Sequence, residues 1–244
     1  MEEAISKKWL FQEIKDIDCT VFNYLLCELH RLKFDYDRRS FQEIRNFLYN
    51  QPMFSAEDFA FECFYVICVA GFKQDYAKAI CDRIIDFIEK TGNDFEEREL
   101  LTIYKNKNKV KSIKNIWDNR QEYQKKLYGL ETLDEKIDFL GSLPFVGNIT
   151  KYHLARNLGL DFAKYDIWIQ RLAVALSGDS KFIDCINNSK IDLKVKYLCD
   201  KMFQDIQQRT GEKIGFIDVV LWRSCQKGLL KINGIQVLLK GMTI

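Results

Sequence analysis

The spacing of apolar residues constrains the fold of this chain more than any other feature. Between residues 59 and 70 they recur at intervals of three and four, which is the pattern of one buried face of an α-helix. The residues of this first face are Phe59, Cys63, Val66, Ile67 and Ala70, and a second such face comprises Ala77, Ile80, Cys81, Ile84, Ile85 and Ile88. Strand-like alternation is limited to a short tail over 229–239. The sequence therefore predicts an all-α fold.

Capping residues mark several helix boundaries. Ser55 followed by Asp58, and Thr132 followed by Glu135, have the spacing of capping boxes that open helices, and Gly92 ends the second apolar helix. Further helices are predicted over 18–33, 39–50, 96–105, 110–127, 148–158, 166–177, 193–209 and 214–227. No long Gly/Ser/Pro-rich linker separates these segments, so we expect them to pack against one another.

Composition and cysteine spacing exclude several classes of protein. The 244 residues are 47% hydrophobic and 30% charged, which excludes a disordered chain, and no apolar run is long enough for a membrane span. The acidic N-terminus does not fit a secretory signal, so we expect a cytoplasmic protein, nucleoid-associated if bacterial. The eight cysteines lack a C-x2-C pair and there are two histidines, so we expect reduced thiols, no metal site and no cofactor.

The distribution of charge is more informative than the net charge of +2. Residues 105–126 contain eight basic and two acidic residues, with Trp117 and Tyr123 among them. A basic block with interleaved aromatic residues is typical of a surface that contacts a phosphate backbone. A solvated, lysine-rich helix has the same composition, as does an adaptor helix that binds an acidic protein, and the block alone leaves these alternatives open.

The segment 140–171 carries the strongest functional signal. It is typical of a helix, a tight turn over 143–147, a second helix, a loop and a third helix. Pro144 ends the first helix, and we expect Gly147 to allow a backbone conformation that other residues resist. The next helix opens over 148–150, where the first amides lack intrahelical acceptors and suit a phosphate oxygen. Such contacts bind a nucleic-acid backbone without reading its sequence.

This segment resembles the helix-hairpin-helix (HhH-GPD) DNA glycosylase superfamily. The hairpin of that family follows L-P-G-V-G, and the sequence here is L-P-F-V-G over 143–147. The family then places an aspartate at the start of the next helix, often as V-D-T-H-V-x-R. The sequence Y-D-I-W-I-Q-R over 165–171 brings Asp166, Ile169 and Arg171 into that register. The close match covers about 32 residues.

The resemblance implies a fold and a set of roles. It implies two helical subdomains with a DNA-binding cleft between them: residues 56–165 with the hairpin, and 1–55 plus 166–244. Asp166 is implied as the catalytic residue of a base-excision repair enzyme, and the implied partner is double-stranded DNA that contains a damaged base, bound by a monomer. The DNA-binding residues implied are Pro144, Phe145, Val146, Gly147, Asn148, Thr150, Lys151 and Arg171. Gln74, Tyr152 and Trp168 are implied for the base pocket or the wedge that fills the gap left by a flipped base.

Two departures from the family pattern refine the expected activity. Phe145 stands where the family usually has glycine, which alters the turn. Ile149 stands where members that also cut the strand carry lysine, and isoleucine cannot form a Schiff base. We therefore expect a monofunctional DNA N-glycosylase with weak or absent lyase activity. An alkylated purine is the expected substrate, because a cationic base is a good leaving group.

Three alternatives remain open at this stage. The protein could be an 8-oxoguanine glycosylase/lyase, with Lys151 as the first candidate for the amine. It could instead be a non-enzymatic helix-hairpin-helix protein that binds DNA through backbone contacts alone. Asp166, finally, could be only a helix N-cap, since aspartate is among the best capping residues.

Overall fold

The computed structural model describes residues 11–34, 39–72, 74–92, 94–187 and 190–241. The helices are α1 (Cys19–Arg31), α2 (Phe41–Asn50), α3 (Ala56–Val69), α4 (Gln74–Thr91), α5 (Glu97–Ile103), α6 (Lys107–Asp118), α7 (Arg120–Gly129), α8 (Leu133–Ser142), α9 (Thr150–Asn157), α10 (Ile167–Ser177), α11 (Leu193–Thr210) and α12 (Ile214–Gln226). The strands are β1 (Phe11–Ile14), β2 (Leu230–Asn233) and β3 (Gln236–Lys240), and Ser180–Cys185 form a 3-10 helix. Within these ranges, no helix is both long and apolar enough to cross a bilayer.

The predicted capping residues open their helices. The Ser55 hydroxyl accepts the Asp58 amide at 3.0 Å, and Thr132 forms a complete capping box with Glu135. The single helix predicted over 110–127 is instead two helices, α6 and α7, which meet at Asn119. The φ and ψ angles of Asn119 are −102° and 12°, outside the α-helical region, so the helix direction changes there.

The chain divides into two compact units, Asp37–Lys164 and Met1–Tyr36 with Tyr165–Ile244. Residues 39–55 therefore belong with the hairpin, whereas the sequence-based boundary placed them in the other subdomain. Arg39 explains their position, because its guanidinium bonds to the buried Glu62 carboxylate of α3 at 2.7 Å. Phe47 of α2 also stacks on Phe54, with ring centroids 5.8 Å apart. The apolar period of a short helix does not reveal which core it joins.

Helix α3 is the centre of the unit Asp37–Lys164. Every residue from Glu62 to Cys68 is buried, so this helix is enclosed on all sides rather than on one face. Helices α4, α6, α7 and α9 pack against it. The buried Glu62 carboxylate accepts hydrogen bonds from the Arg39 guanidinium and from the Asn157 side-chain amide. A charge inside a core requires such partners, because its burial is otherwise costly.

The other unit combines helices with a small sheet. Helices α1, α10, α11 and α12 pack on one another, and the strands form an antiparallel sheet in the order β1-β3-β2. In the register of this sheet, Phe11 pairs with Lys240 and Leu230 with Leu239. The tail over 229–239 is thus a β-hairpin, as its alternation indicated. Strand β1 gave no such signal, because two of its four residues are exposed and polar.

Candidate functional site

The turn between α8 and α9 is anchored by buried apolar residues and exposes its tip. Leu143, Val146 and Ile149 are buried, whereas Phe145, Gly147 and Asn148 are exposed. The Val146 amide donates to the Leu143 carbonyl at 3.1 Å, which closes the turn after Pro144. The hairpin predicted over 143–147 is present, with its polar backbone at the tip accessible to a partner.

The strained residue of this turn is Phe145 and not Gly147. Phe145 has a φ of 65°, in the left-handed region, whereas Gly147 has no positive φ. The expectation that Gly147 supplies the special conformation is therefore wrong. A bulky side chain in this region costs about 1–2 kcal/mol. Phe145 stands where the resembled family usually has glycine. The turn therefore has a backbone conformation that suits glycine, with phenylalanine at that position.

Two hydrogen bonds fix the backbone at the start of α9, where the sequence predicts a phosphate-binding site. The Gly147 amide donates to the Thr150 hydroxyl at 2.7 Å, and the Lys151 amide donates to the Gly147 carbonyl at 3.0 Å. Because the helical bonding begins at Lys151, the amides without intrahelical acceptors are those of residues 148–150. They lie at the positive end of the helix dipole, which suits an anion.

Lys151 is directed toward α8. Its ammonium lies 3.5 Å from the Asp138 carboxylate, and its side chain covers Gly141, where a Cβ would come within 3.0 Å of the lysine Cδ. A Cβ at position 141 would therefore require the Lys151 side chain to shift by a few tenths of an ångström. The next residue, Tyr152, is half-buried, and its ring packs on Phe162 with centroids 5.9 Å apart.

Asp166 is the N-cap of α10 and is 7% exposed. Its Oδ1 atom accepts the amides of Trp168 at 3.0 Å and Ile169 at 3.3 Å. Burial raises the pKa of the Cys225 thiol, and the negative charge of Asp166 adds to the rise. Burial also raises the pKa of Cys199, where the Asp166 charge is the smallest of several causes. The capping role is thus present in the structure, and it fixes the carboxylate at the positive end of the helix.

Gln170 holds the backbone next to Asp166 and was missed by the sequence reasoning. This fully buried side chain donates to the carbonyls of Tyr165 and Asn187, both at 2.8 Å, and accepts the Asn187 amide at 3.0 Å. The loop that leads into the aspartate is therefore tied to the helix that follows it. The available signal was a glutamine among apolar residues in the middle of a helix.

Arg171 lies on an exposed face of α10. Its guanidinium carbon is 5.8 Å from the centre of the Trp168 ring, and Trp168 is half-buried. Arg171 also lines a cavity of about 280 Å³ in this unit. The other lining residues are Ile167, Val174, Ile183, Ile186, Ile232 and Gly234. Ile167, the residue that follows Asp166, thus lines a mainly apolar recess in which Arg171 is the charged residue.

Lys109 is a second residue that the sequence did not single out. The composition of the basic block 105–126 left a phosphate contact, a solvated helix and a protein contact open, and Lys109 proves to be only 2% exposed. Its ammonium donates to the carbonyls of Cys68 at 3.1 Å and Ala70 at 2.6 Å, at the end of α3. It also lies 5.4 Å from the centre of the Phe145 ring. The Lys109 side chain of the basic block therefore packs against the Phe145 ring of the hairpin.

The remaining predicted features concern Gln74, metal-ligating groups and the cysteines. Gln74 begins α4, but its side chain lies outside the described residues, so a wedge role for it stays a prediction. Among the described residues, no group of three or more His, Cys, Asp and Glu side chains could hold a metal ion. All eight cysteines are free thiols.

Comparison with known proteins bears on the fold. No protein-family model matches the chain, and no curated protein matches it significantly. Among solved structures, the crystal structure of Methanocaldococcus jannaschii 8-oxoguanine glycosylase/lyase in complex with 15mer DNA containing 8-oxoguanine is similar, with a TM-score of 0.57 and 21% sequence identity. The match covers 85% of this chain and 100% of the solved chain. The two chains share a fold.

This similarity confirms two expectations about architecture. The chain has the fold of the solved 8-oxoguanine glycosylase/lyase, and the all-α class is correct apart from the small sheet. At 21% identity the comparison establishes the fold. The activity depends on what the residues of the hairpin and of α10 can do.

Proposed function

We propose that this protein is a DNA glycosylase that hydrolyses the N-glycosidic bond of a damaged base in double-stranded DNA. The observation that carries the proposal is the buried Asp166 carboxylate at the first turn of α10, in the register of the glycosylase motif. Two further observations support it: the amides of residues 148–150 lack intrahelical acceptors at the start of α9, and the fold matches that of a glycosylase solved with DNA.

The proposed reaction breaks the bond between C1′ of the deoxyribose and the base nitrogen. The base leaves with the electron pair, and positive charge develops on the sugar. The Asp166 carboxylate stabilises that charge, because a fixed anion in a site with little water interacts with it strongly. A water molecule then attacks C1′ and gives its proton to the carboxylate, which leaves an abasic site. The amides of residues 148–150 hold a phosphate of the DNA backbone.

We further propose that the enzyme is monofunctional and prefers an alkylated purine. A strand-cutting glycosylase needs an amine, and Ile149 at the family's lysine position is aliphatic and buried. Lys151 is held against Asp138 and Gly141 on α8, which disfavours it as a substitute. Without an amine nucleophile, a cationic base that leaves readily is the better substrate, and aromatic rings stack well on such a cation.

A second candidate for the substrate is 8-oxoguanine. The solved protein with the similar fold is an 8-oxoguanine glycosylase/lyase, and this observation favours the same lesion here. The two substrates share the roles proposed for Asp166 and the hairpin. They differ in the leaving group, and therefore in how much help the departing base needs.

An excision assay on duplex oligonucleotides tests these proposals. Each duplex carries one lesion, among them 3-methyladenine, 8-oxoguanine, uracil and hypoxanthine, and half of each reaction is treated with alkali. Cleavage that requires alkali, on one lesion only, supports a monofunctional glycosylase and identifies its substrate. Cleavage without alkali contradicts the monofunctional proposal. Salt-sensitive binding with no excision of any lesion contradicts an enzymatic role and favours a DNA-binding protein.

A further inference from the structure

Lys109 gathers three aromatic rings around one buried ammonium. Its Nζ atom lies 4.5 Å from the ring centre of Phe72, 5.4 Å from that of Phe145 and 5.9 Å from that of Tyr104. These distances fall within the range of cation–π contacts. The same atom donates to the Cys68 and Ala70 carbonyls, so its position is fixed by the end of α3. We call Lys109, Phe72, Tyr104 and Phe145 the Lys109 cluster.

Two rings of the cluster are partly exposed to solvent although the Lys109 ammonium contacts both of them. Phe72 and Phe145 are each 43% exposed, and the neighbouring Tyr76, whose ring is 5.7 Å from that of Phe72, is also exposed. Exposed aromatic residues that adjoin one another indicate a binding surface, because soluble monomeric proteins rarely leave large apolar patches exposed to solvent. The cluster therefore presents flat apolar faces toward a partner.

The backbone of Phe145 supports the same conclusion. Its φ of 65° is costly for phenylalanine and free for glycine, yet the ring that results is exposed. Burial of this ring alone is a weak compensation for the strain. Strain kept at an exposed position is a feature of functional sites.

The surroundings of the cluster indicate a nucleic acid as the partner. Phe145 precedes by three residues the first of the amides at 148–150 that suit a phosphate. Lys105 and Lys107, which flank the start of α6 close to Lys109 in the chain, are exposed and belong to the basic block of net charge +6. A partner that combines phosphates with flat aromatic faces is DNA, whose bases stack on aromatic side chains.

We propose that the Phe145 ring stacks on an unpaired base of the bound DNA, and that Lys109 is the positioning residue that holds this ring at the hairpin tip. The proposal rests on the proposed glycosylase function, which supplies an unpaired base when a nucleotide leaves the helix. It assigns the hairpin a contact to a base in addition to its contacts with the backbone. It also explains why one lysine of the basic block is buried.

The test uses a duplex with a tetrahydrofuran abasic-site analogue, which cannot be excised. Iodouracil replaces thymine at each position that flanks the analogue or lies opposite it, and light then cross-links the iodouracil to an aromatic ring stacked on it. We expect cross-linking of the wild-type protein at Phe145, identified by mass spectrometry. We expect Phe145→Leu, which retains an apolar side chain, to lose this cross-link and to bind the duplex about fivefold to tenfold more weakly.

Tyr197→Ala is the matched control, because Tyr197 is a 67% exposed aromatic residue on α11 of the other unit. It should retain both the cross-link and the affinity. Wild-type binding without a cross-link at Phe145, or Phe145→Leu binding with wild-type affinity, overturns the stacking proposal and leaves the proposed function standing. Absence of salt-sensitive DNA binding by the wild type overturns the proposed function itself.

Discussion

Oδ1 of Asp166 lies 3.0 Å from the amide nitrogen of Trp168, so the residue proposed for catalysis also caps its own helix. A helix cap and a catalytic carboxylate are therefore combined in one side chain, and a simple deletion of Asp166 confuses the two roles. The choice of substitution separates them, because asparagine caps helices as well as aspartate does but has no negative charge.

The first prediction concerns this cap. Asp166→Ala should lower the free energy of unfolding by about 1 kcal/mol, because the amides of Trp168 and Ile169 lose their acceptor. Asp166→Asn should remain within a few tenths of a kcal/mol of wild type. Urea denaturation of the three proteins measures this difference. Equal destabilisation by alanine and asparagine would show that the charge, not the cap, stabilises the helix.

A second prediction tests the left-handed conformation of the hairpin. Phe145→Gly and Phe145→Ala both remove the ring over Lys109, but only glycine adopts a φ of 65° without cost. The glycine variant should therefore be more stable than the alanine variant by about 1 kcal/mol. Thermal unfolding of the pair measures the difference. If alanine were as stable as glycine, the turn would not have the backbone conformation described here.

A third prediction concerns the side chain that ties the loop to α10. Gln170→Leu removes the side-chain amide that donates to the carbonyls of Tyr165 and Asn187 and the oxygen that accepts the Asn187 amide, and it does so inside the core. It should destabilise the protein by about 2–4 kcal/mol. The control is Gln42→Leu, since Gln42 is an exposed glutamine that bonds within α2, and it should have little effect. Comparable losses in both variants would contradict the role given to Gln170.

The fourth prediction is a pH dependence. Burial, with the Asp166 charge, raises the pKa of Cys225 above its ordinary value of 9.0. The thiol stays protonated in the folded protein but ionises on unfolding, so the unfolded state binds fewer protons above pH 9 and stability falls as pH rises. Cys225→Ala should reduce this slope between pH 9 and 10.5. A slope that Cys225→Ala leaves at its wild-type value would contradict this account.

The sequence was a good guide wherever local chemistry decides the structure. The apolar period located the helices, the Ser55 and Thr132 caps opened two of them, and the Pro144 turn connects α8 to α9 as expected. Asp166 was likewise recognisable as a helix cap. A capping aspartate has the same local sequence pattern with or without a catalytic role. Whether it is catalytic stays a prediction.

Features that depend on distant residues could not be predicted in the same way. Strand β1 is stabilised by pairing with β3, more than two hundred residues away in the chain, and its own residues carry no strand pattern. The burial of Lys109 depends on carbonyls at the end of α3, and the composition of the basic block does not distinguish a buried lysine from an exposed one. The left-handed Phe145 follows from the closure of the turn by its neighbours, against its own preference.

The most direct test of the central claim is single-turnover excision by the wild type and Asp166→Asn, with DNA binding measured on the same duplex. The substrate is the lesion that the wild type excises, and the reaction is followed at saturating enzyme so that binding does not limit the rate. We predict a loss of excision of at least a hundredfold with unchanged affinity, because the asparagine keeps the cap and removes the charge. Excision near the wild-type rate would contradict the assignment of Asp166 as the catalytic residue.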